Sequence, residues 1–394
     1  MLGKDLIMQT LLGGGSSGGG SSGGGGGSAA VSPKEVNFYD YDGTCVHAYT
    51  VAEAQALSEL PAGPEHPGLV FQGWNWSLEG VKGLTRAMNI GAMYTTDDGT
   101  TRLYITLQEG RTSPMLGVCV NGTVTVDWGD GTEPDVLTGT NVSTTQWTPN
   151  HAYAAPGDYV IRLTVDGEIS FRGTNSENQR GHILRHASVA DARNVTYQAA
   201  LSRVEMGSGI SQIYAHAFSC CYALESVTIP CGITTIGANA FNQCYALKTV
   251  SIPDGMEYIY NNAFYYCYSL TTMSLPEAVE NIGTGVFSNC HILKSATLPN
   301  NVATLSSGVF GSCYVITSMF IPASVTSVPN GMFNGCIGMA FYDFTSHTAV
   351  PTLSNTNAFT GIPADCEIRV PAALYDEWIA ATNWATYAAN IKAY

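Results

Sequence analysis

The sequence predicts a mainly β, multidomain chain: a small α+β module, then a β-sandwich, then a C-terminal solenoid closed by a helical cap. Three observations carry this. Equivalent side chains return every 23 residues through the C-terminal half. The middle of the chain alternates apolar and polar residues over strand-length runs between Gly-containing turns. With 394 residues the chain exceeds one ordinary core, and 43 glycines with only 12% charged residues suit a protein rich in turns.

The elements follow in chain order. Met1–Leu12 reads as a docking peptide, carried on a Gly/Ser tether at 13–28 (linker 13–32) that has no apolar surface to bury. Residues 33–97 alternate short apolar runs with turns such as Asp42-Gly43, and Val51–Leu60 has helical spacing; this is the small α+β module. Its Phe71, Trp74 and Trp76 are expected in the module's core rather than on a sugar-binding platform, because large aromatics dominate small cores.

Residues 98–167 are strand-like throughout. Val124–Asp127 runs into Trp128-Gly129-Asp130-Gly131, and His151-Ala-Tyr153 leads through Pro156-Gly157 into the period-two run Tyr159–Val165. These positions together resemble the PKD domain. That resemblance implies an immunoglobulin-like sandwich acting as a spacer or adhesion module, with no chemistry of its own. A connector is expected at 168–194.

The repeat at 195–347 is laid out in columns. Phe218, Phe241, Phe264, Phe287, Phe310 and Phe333 form one; Cys221, Cys244, Cys267, Cys290, Cys313 and Cys336 follow three residues later. Leu224, Leu247, Leu270, Leu293, Ile316 and Met339 form a third, and Pro230, Pro253, Pro276, Pro299 and Pro322 close the coils. A segment with apolar residues at such offsets cannot hide them alone, so copies must stack around a shared core. Leu201, Val204 and Met206 mark a leading half-repeat, whereas Phe359 lies 26 residues after Phe333, so the period breaks towards a cap at 348–394. In that cap Pro371, Leu374, Tyr375, Trp378 and Ile379 predict a helix. The pattern Ile-Gly-x-x-Ala-Phe-x-x-Cys-x-x-Leu-x-x-Val-x-Ile-Pro at 236–253 resembles the BspA-like leucine-rich repeats. The resemblance implies a surface-exposed binding or adhesion protein, and the tail with Tyr387 and Ile391 is similar to the ends of such arrays.

A net charge of −15 repels phosphate backbones and anionic membranes, so nucleic acid is not an expected partner. No run of about 20 apolar residues is present, and no membrane insertion is expected. No cofactor and no metal are expected: the regular cysteines form a line, whereas a metal needs ligands converging on a point. Cys45, Cys119, Cys220, Cys231 and Cys366 lie off that line and no disulfide is assigned among them. Asp40-Tyr41-Asp42-Gly43-Thr44 matches the Asp-x-Asp-Gly-Thr loop of haloacid-dehalogenase-like phosphatases, but the expected surroundings are not the parallel α/β sheet that chemistry needs. A plain Asp-Gly turn is the expectation. Asp127, Asp130 and Asp158 are expected as solvated turn residues rather than Ca²⁺ ligands, and no catalytic set stands out.

One column faces outward: Tyr222, Tyr245, Tyr268, His291 and Tyr314, each directly after a ladder cysteine. It is the candidate binding surface, since Tyr offers rigid area at low entropic cost; packing of neighbouring rings on each other is the competing reading. The strand positions Glu225, Thr228, Lys248, Ser251, Thr272 and Ser274 are expected to form an exposed, low-relief face. The expected function is non-enzymatic recognition of a host cell-surface glycan or protein, displayed on a virion, with other virion proteins held through the N-terminus and an oligomer compatible with the sequence. The Gly tether, the segment from Phe38 to Trp76 and a start without a secretory signal resemble structural proteins of bacteriophages of Gram-positive gut bacteria. A secreted bacterial adhesin and a purely structural virion component are the alternatives.

Overall fold

The computed structural model describes residues 30–147, 151–171, 183–186, 197, 199–302 and 304–394. The expected docking peptide, the tether at 13–28, and residues 172–182 and 187–194 of the expected connector lie outside the described residues.

Residues 36–96 hold a four-stranded mixed sheet. Its strands are β1 (Val36–Tyr39), β2 (Cys45–Tyr49), β3 (Leu69–Trp74) and β4 (Met88–Thr96), in the order β2-β1-β4-β3, with β1 and β4 parallel. Two short helices cross it, α1 (Val51–Gln55) and α2 (Leu78–Lys82). Thr50 and Glu53 start α1 with a reciprocal capping box, and Ser77 caps α2 by accepting from Gly80 N. The helix expected over Val51–Leu60 stops at Gln55, with Ala56 as its C-cap donating its N–H to the Glu53 carbonyl. Trp74 and Trp76 are buried in this sheet's own core, with Phe71 packed against it.

Four long strands follow: β5 (Thr101–Leu107), β6 (Pro114–Asp127), β7 (Asp135–Trp147) and β8 (Gly157–Phe171), with a short β9 (Leu184–His186). They pair antiparallel as β5-β8-β6-β7. The sequence motif residues converge at one end. Trp128 is buried and stacks on His151 at 4.6 Å, its indole N–H donates to Asp135 at 2.9 Å, and Tyr153 Oη donates to the Trp128 carbonyl at 2.9 Å.

This sheet runs straight into the solenoid. β5 pairs antiparallel with β10 (Leu201–Glu205), and the end of β8 pairs parallel with β11 (Ile210–Ile213), so both belong to one 13-stranded sheet. The boundary drawn at residue 167 therefore falls inside β8.

Each coil then contributes two short strands. One side carries β12 (Ser226–Thr228), β14 (Thr249–Val250), β16 (Thr272–Ser274), β18 (Ser295–Thr297), β20 (Ser318–Phe320) and β22 (Phe341–Asp343). The other carries β13 (Thr235–Ile236), β15 (Tyr258–Ile259), β17 (Asn281–Ile282), β19 (Thr304–Leu305), β21 (Ser327–Val328) and β23 (Thr352–Leu353). Pairing is parallel in the 23-residue register, as in Val204↔Val227, Val227↔Val250 and Met273↔Ala296. The inward residue of each strand is apolar and buried, which makes one continuous core.

At the C-terminal end β24 (Glu367–Val370) pairs with β22 as Tyr342↔Ile368. The expected helix is α3 (Tyr375–Ala380), with Trp378 buried, and Trp384 is buried beside it at 5.4 Å. The chain then makes one more strand, β25 (Ile391–Ala393), parallel to β24 and again 23 residues on, as Ile368↔Ile391. The cap is thus a helical turn laid over the core plus a last coil strand, not a helix alone.

The four-stranded module sits on the β12–β18 side of the solenoid and reads it in register. Asn75 Nδ2 donates to the Ile252 carbonyl at 3.1 Å, Trp76 Nε1 to Leu275 at 3.3 Å, and Arg86 Nη2 to Leu298 at 2.6 Å. These three carbonyls lie one coil apart, each just before a proline, where the inter-coil ladder ends because proline has no N–H. Between them Asn89 Nδ2 donates to Ser295 Oγ at 2.7 Å, and Ser274 Oγ donates to the Asn89 carbonyl. The low-relief face expected to meet a partner is therefore largely occupied. Thr228, Ser251 and Ser274 are buried, and only Glu225 and Lys248 of that set stay exposed, as an ion pair of 2.6 Å. Small polar side chains on a strand face admit a closely packed partner as readily as they meet water.

Candidate recognition surface

The surface is built by the turn that joins the two strands of each coil. Two positions per turn take left-handed backbone. His216, Asn239 and Asn262 lead one column, continued by Gly285, Gly308 and Gly331; the other runs Cys220, Gln243, Tyr266, Asn289, Ser312 and Gly335. Asn and Gly suit this region, since Asn tolerates it and Gly has no Cβ to clash. Tyr266, at φ +61°, is the bulkiest occupant of its column, and its ring lies edge-on to Tyr265 and Tyr268.

Those turns aim the phenylalanines inward. Phe218, Phe241, Phe264, Phe287, Phe310 and Phe333 are all buried, and successive rings stack at 5.2 to 6.0 Å within 17° of parallel. Phe359 continues the column at 5.5 Å from Phe333, so its three extra residues are absorbed outside the stack. Burying such a ring contributes about 1.5–3 kcal/mol.

The cysteine column has its own hydrogen-bond ladder. Cys244 Sγ donates to the Phe218 carbonyl at 3.2 Å, Cys267 to Phe241 at 3.2 Å, Cys290 to Phe264 at 3.4 Å, Cys313 to Phe287 at 3.3 Å and Cys336 to Phe310 at 3.2 Å. Burial raises these thiols far above their ordinary range, with Cys336 pushed up to about 12, so they are unreactive packing groups. Cys221 heads the column, also buried and raised. All eleven cysteines are free thiols, and Cys231 is the exposed one.

Tyr222, Tyr245, Tyr268, His291 and Tyr314 stand outward from the same turns, half-buried, as one unbroken stack. Centroids are 4.7, 4.9, 4.6 and 4.4 Å apart with interplanar angles of 1 to 27°. Except at the outer sides of Tyr222 and Tyr314, their faces are covered by each other, so along most of its length the column offers a partner ring edges and polar ring atoms. The next position in the column is Ile337, 60% exposed.

The remaining candidates are dispersed. Asp40 is buried in a turn closed by Gly43 N donating to its carbonyl, and its carboxylate accepts from Tyr41 N at 2.7 Å and contacts His66 Nε2 at 2.8 Å. Burial raises the Asp40 pKa, opposed by His66. Asp127 pairs with Arg162 at 3.6 Å, Asp130 with His151 at 2.8 Å, and Asp158 accepts from Thr106 at 2.6 Å. The three aspartates thus have separate partners. Among the described residues no group of three or more His, Cys, Asp or Glu side chains is placed to hold a metal, and no helix is long and apolar enough to cross a membrane. Sequence reasoning missed Asn75, Arg86 and Asn89, for which the only trace was the small-residue and proline columns that they meet.

Residues 197–349 match the BspA type leucine rich repeat region in six copies. No curated protein matches the chain. Among solved structures, a leucine-rich repeat protein of T. pallidum is 24% identical over 49% of this chain and 88% of its own length, with a TM-score of 0.39. One from Bacteroides ovatus is 20% identical, covering 52% and 60%, at 0.32. The pneumococcal vaccine antigen PcpA is 19% identical, covering 49% and 41%, at 0.34. By its sequence columns and the register of its strands, the segment 197–349 is a leucine-rich-repeat solenoid of the BspA type.

Proposed function

We propose that the chain is a non-enzymatic recognition protein that binds a cell-surface glycan or protein through the column Tyr222, Tyr245, Tyr268, His291 and Tyr314. The observation that carries this is the five-ring stack on a side of the solenoid left open while the strand side is taken by the N-terminal module. A stacked row of phenols is rigid before binding, so little side-chain entropy is lost when a partner arrives. Because the ring faces are covered along most of the column, recognition runs through hydroxyls and ring edges and suits a polar, hydrogen-bonding partner.

Residues 98–167 serve in this reading as a PKD-like spacer, and display is on a virion, with Met1–Leu12 held by other virion proteins. A secreted surface adhesin fits the same geometry equally well. The test is binding of the full chain to Gram-positive cell walls, with Tyr222, Tyr245, Tyr268 and Tyr314 changed to Ser together. Binding should drop at least about tenfold on losing several such contacts while the melting temperature shifts by a few degrees; unchanged binding sinks the proposal. Mass spectrometry of purified particles and culture fluid decides where the chain is displayed.

A further inference from the structure

A second group of exposed aromatics lies on the opposite strand side. Tyr258 and Tyr260 flank the buried Ile259 and are 38% and 50% exposed. Their rings are 6.2 Å apart and 23° from parallel. In the column of Tyr260 the neighbouring coils have Gly237 and Gly283, both held against backbone of the coil before. A Cβ on Gly283 would meet Asn261 N at 2.6 Å, and one on Gly237 would strike Ala215 N. Tyr260 thus stands with no side chain on either side in its column, the reverse of the Tyr222 column, where Tyr245, Tyr268 and His291 are each stacked on both faces.

The surroundings carry one sign of charge. Glu257 and Glu280 are exposed and adjacent, Glu280 N donating to the Glu257 carbonyl at 3.3 Å. The facing positions 234–237, 281–283 and 304–306 contain no Lys or Arg. An exposed ring pair beside two carboxylates, on a chain of net charge −15, complements a cation that also has a flat apolar face.

We infer that Tyr258, Tyr260, Glu257 and Glu280 form a second binding site, separate from the Tyr222 column, for a glycan bearing free primary amines. The carbohydrate CH face lies on the open ring of Tyr260, and the ammonium groups meet the two carboxylates. A lysine side chain could use the charges, but it has no flat apolar face to lay on the exposed ring of Tyr260.

The experiment measures binding of the full chain to a glucosamine oligomer, its N-acetylated counterpart and an oligolysine of equal charge. The glucosamine oligomer should bind best, and both Tyr260→Ala and the pair Glu257→Gln with Glu280→Gln should weaken it on the order of tenfold. Tyr245→Ser should leave it unchanged, which separates this site from the column proposed above. All three side chains are exposed, so circular dichroism should match the parent protein. Absence of glucosamine binding, equal binding of the acetylated oligomer, tighter binding of oligolysine, or loss with Tyr245→Ser each overturns the inference.

Discussion

At the scale of single residues, the cysteine column shows how one thiol serves two needs. It fills a small apolar position in the core, and it adds a second donor to a carbonyl one coil back, as Cys267 does for Phe241, whose carbonyl also accepts from Cys244 N at 3.1 Å. Replacing Cys267 by Ala removes volume and one donor, but the Phe241 carbonyl keeps its bond from Cys244 N, so the cost is a small cavity plus one weak thiol bond, about 1 kcal/mol. Urea denaturation of Cys267→Ala should show that loss, whereas Cys231→Ala at the exposed cysteine should shift the midpoint little. Equal midpoints would mean that the thiol ladder contributes nothing. The column itself was legible from its spacing. Its hydrogen bonds were not, since the acceptor is a backbone atom 26 residues away in sequence, and no side-chain pattern records it.

At the scale of elements, the turn after β6 joins residues that the sequence had already grouped. Trp128, Asp130, His151 and Tyr153 meet because β6 and the approach to β8 run side by side. Burial alone would raise Asp130, but hydrogen bonds from Thr132 and His151 outweigh it and hold the carboxyl at about 2, below its ordinary 3.8. A carboxyl whose folded value is depressed stabilises the fold above its unfolded pKa, and that contribution is lost as pH falls through the folded value. Thermal melts should therefore lose stability between about pH 4 and 2, and Asp130→Asn should flatten that stretch of the profile. A mutant profile parallel to the parent's would remove Asp130 from the account. The short α1 makes the complementary point: apolar spacing suggested ten helical residues, and the helix closes after five, capped at Ala56.

At the scale of the whole molecule, the solenoid is not an independent rod. Its first coil is hydrogen-bonded into the sheet before it through β5 and β8, and its β12–β18 side is covered by the module at 36–96. Arg86 is the clearest link. It donates to the Leu298 carbonyl and to Asn300, lies 4.4 Å over the Phe320 ring, and burial lowers its pKa to about 10. Because Asn75, Trp76 and Arg86 take carbonyls of three successive coils, removing two of them should loosen the seat without unfolding either partner. Asn75→Ala combined with Arg86→Ala should speed amide hydrogen exchange in β14, β16 and β18, with a loss of about 2–4 kcal/mol if each freed acceptor costs 1–2. Unchanged exchange would show that the module is held by other contacts.

The sequence by itself determined the period, the inward columns, the turn chemistry and the order of the elements. Each of these is written locally: a side chain's type and its spacing to its own copies decide whether it points in or out. Tertiary structure decided which outward face stays open, that β5 and β8 join the solenoid's sheet, and that Trp384 and β25 complete the cap. Those outcomes depend on two surfaces fitting each other across as many as 214 residues of chain, as Arg86 does with Leu298 and Asn300. Docking of that kind uses backbone carbonyls and small polar side chains, which look the same in sequence whether they meet water or a neighbouring module.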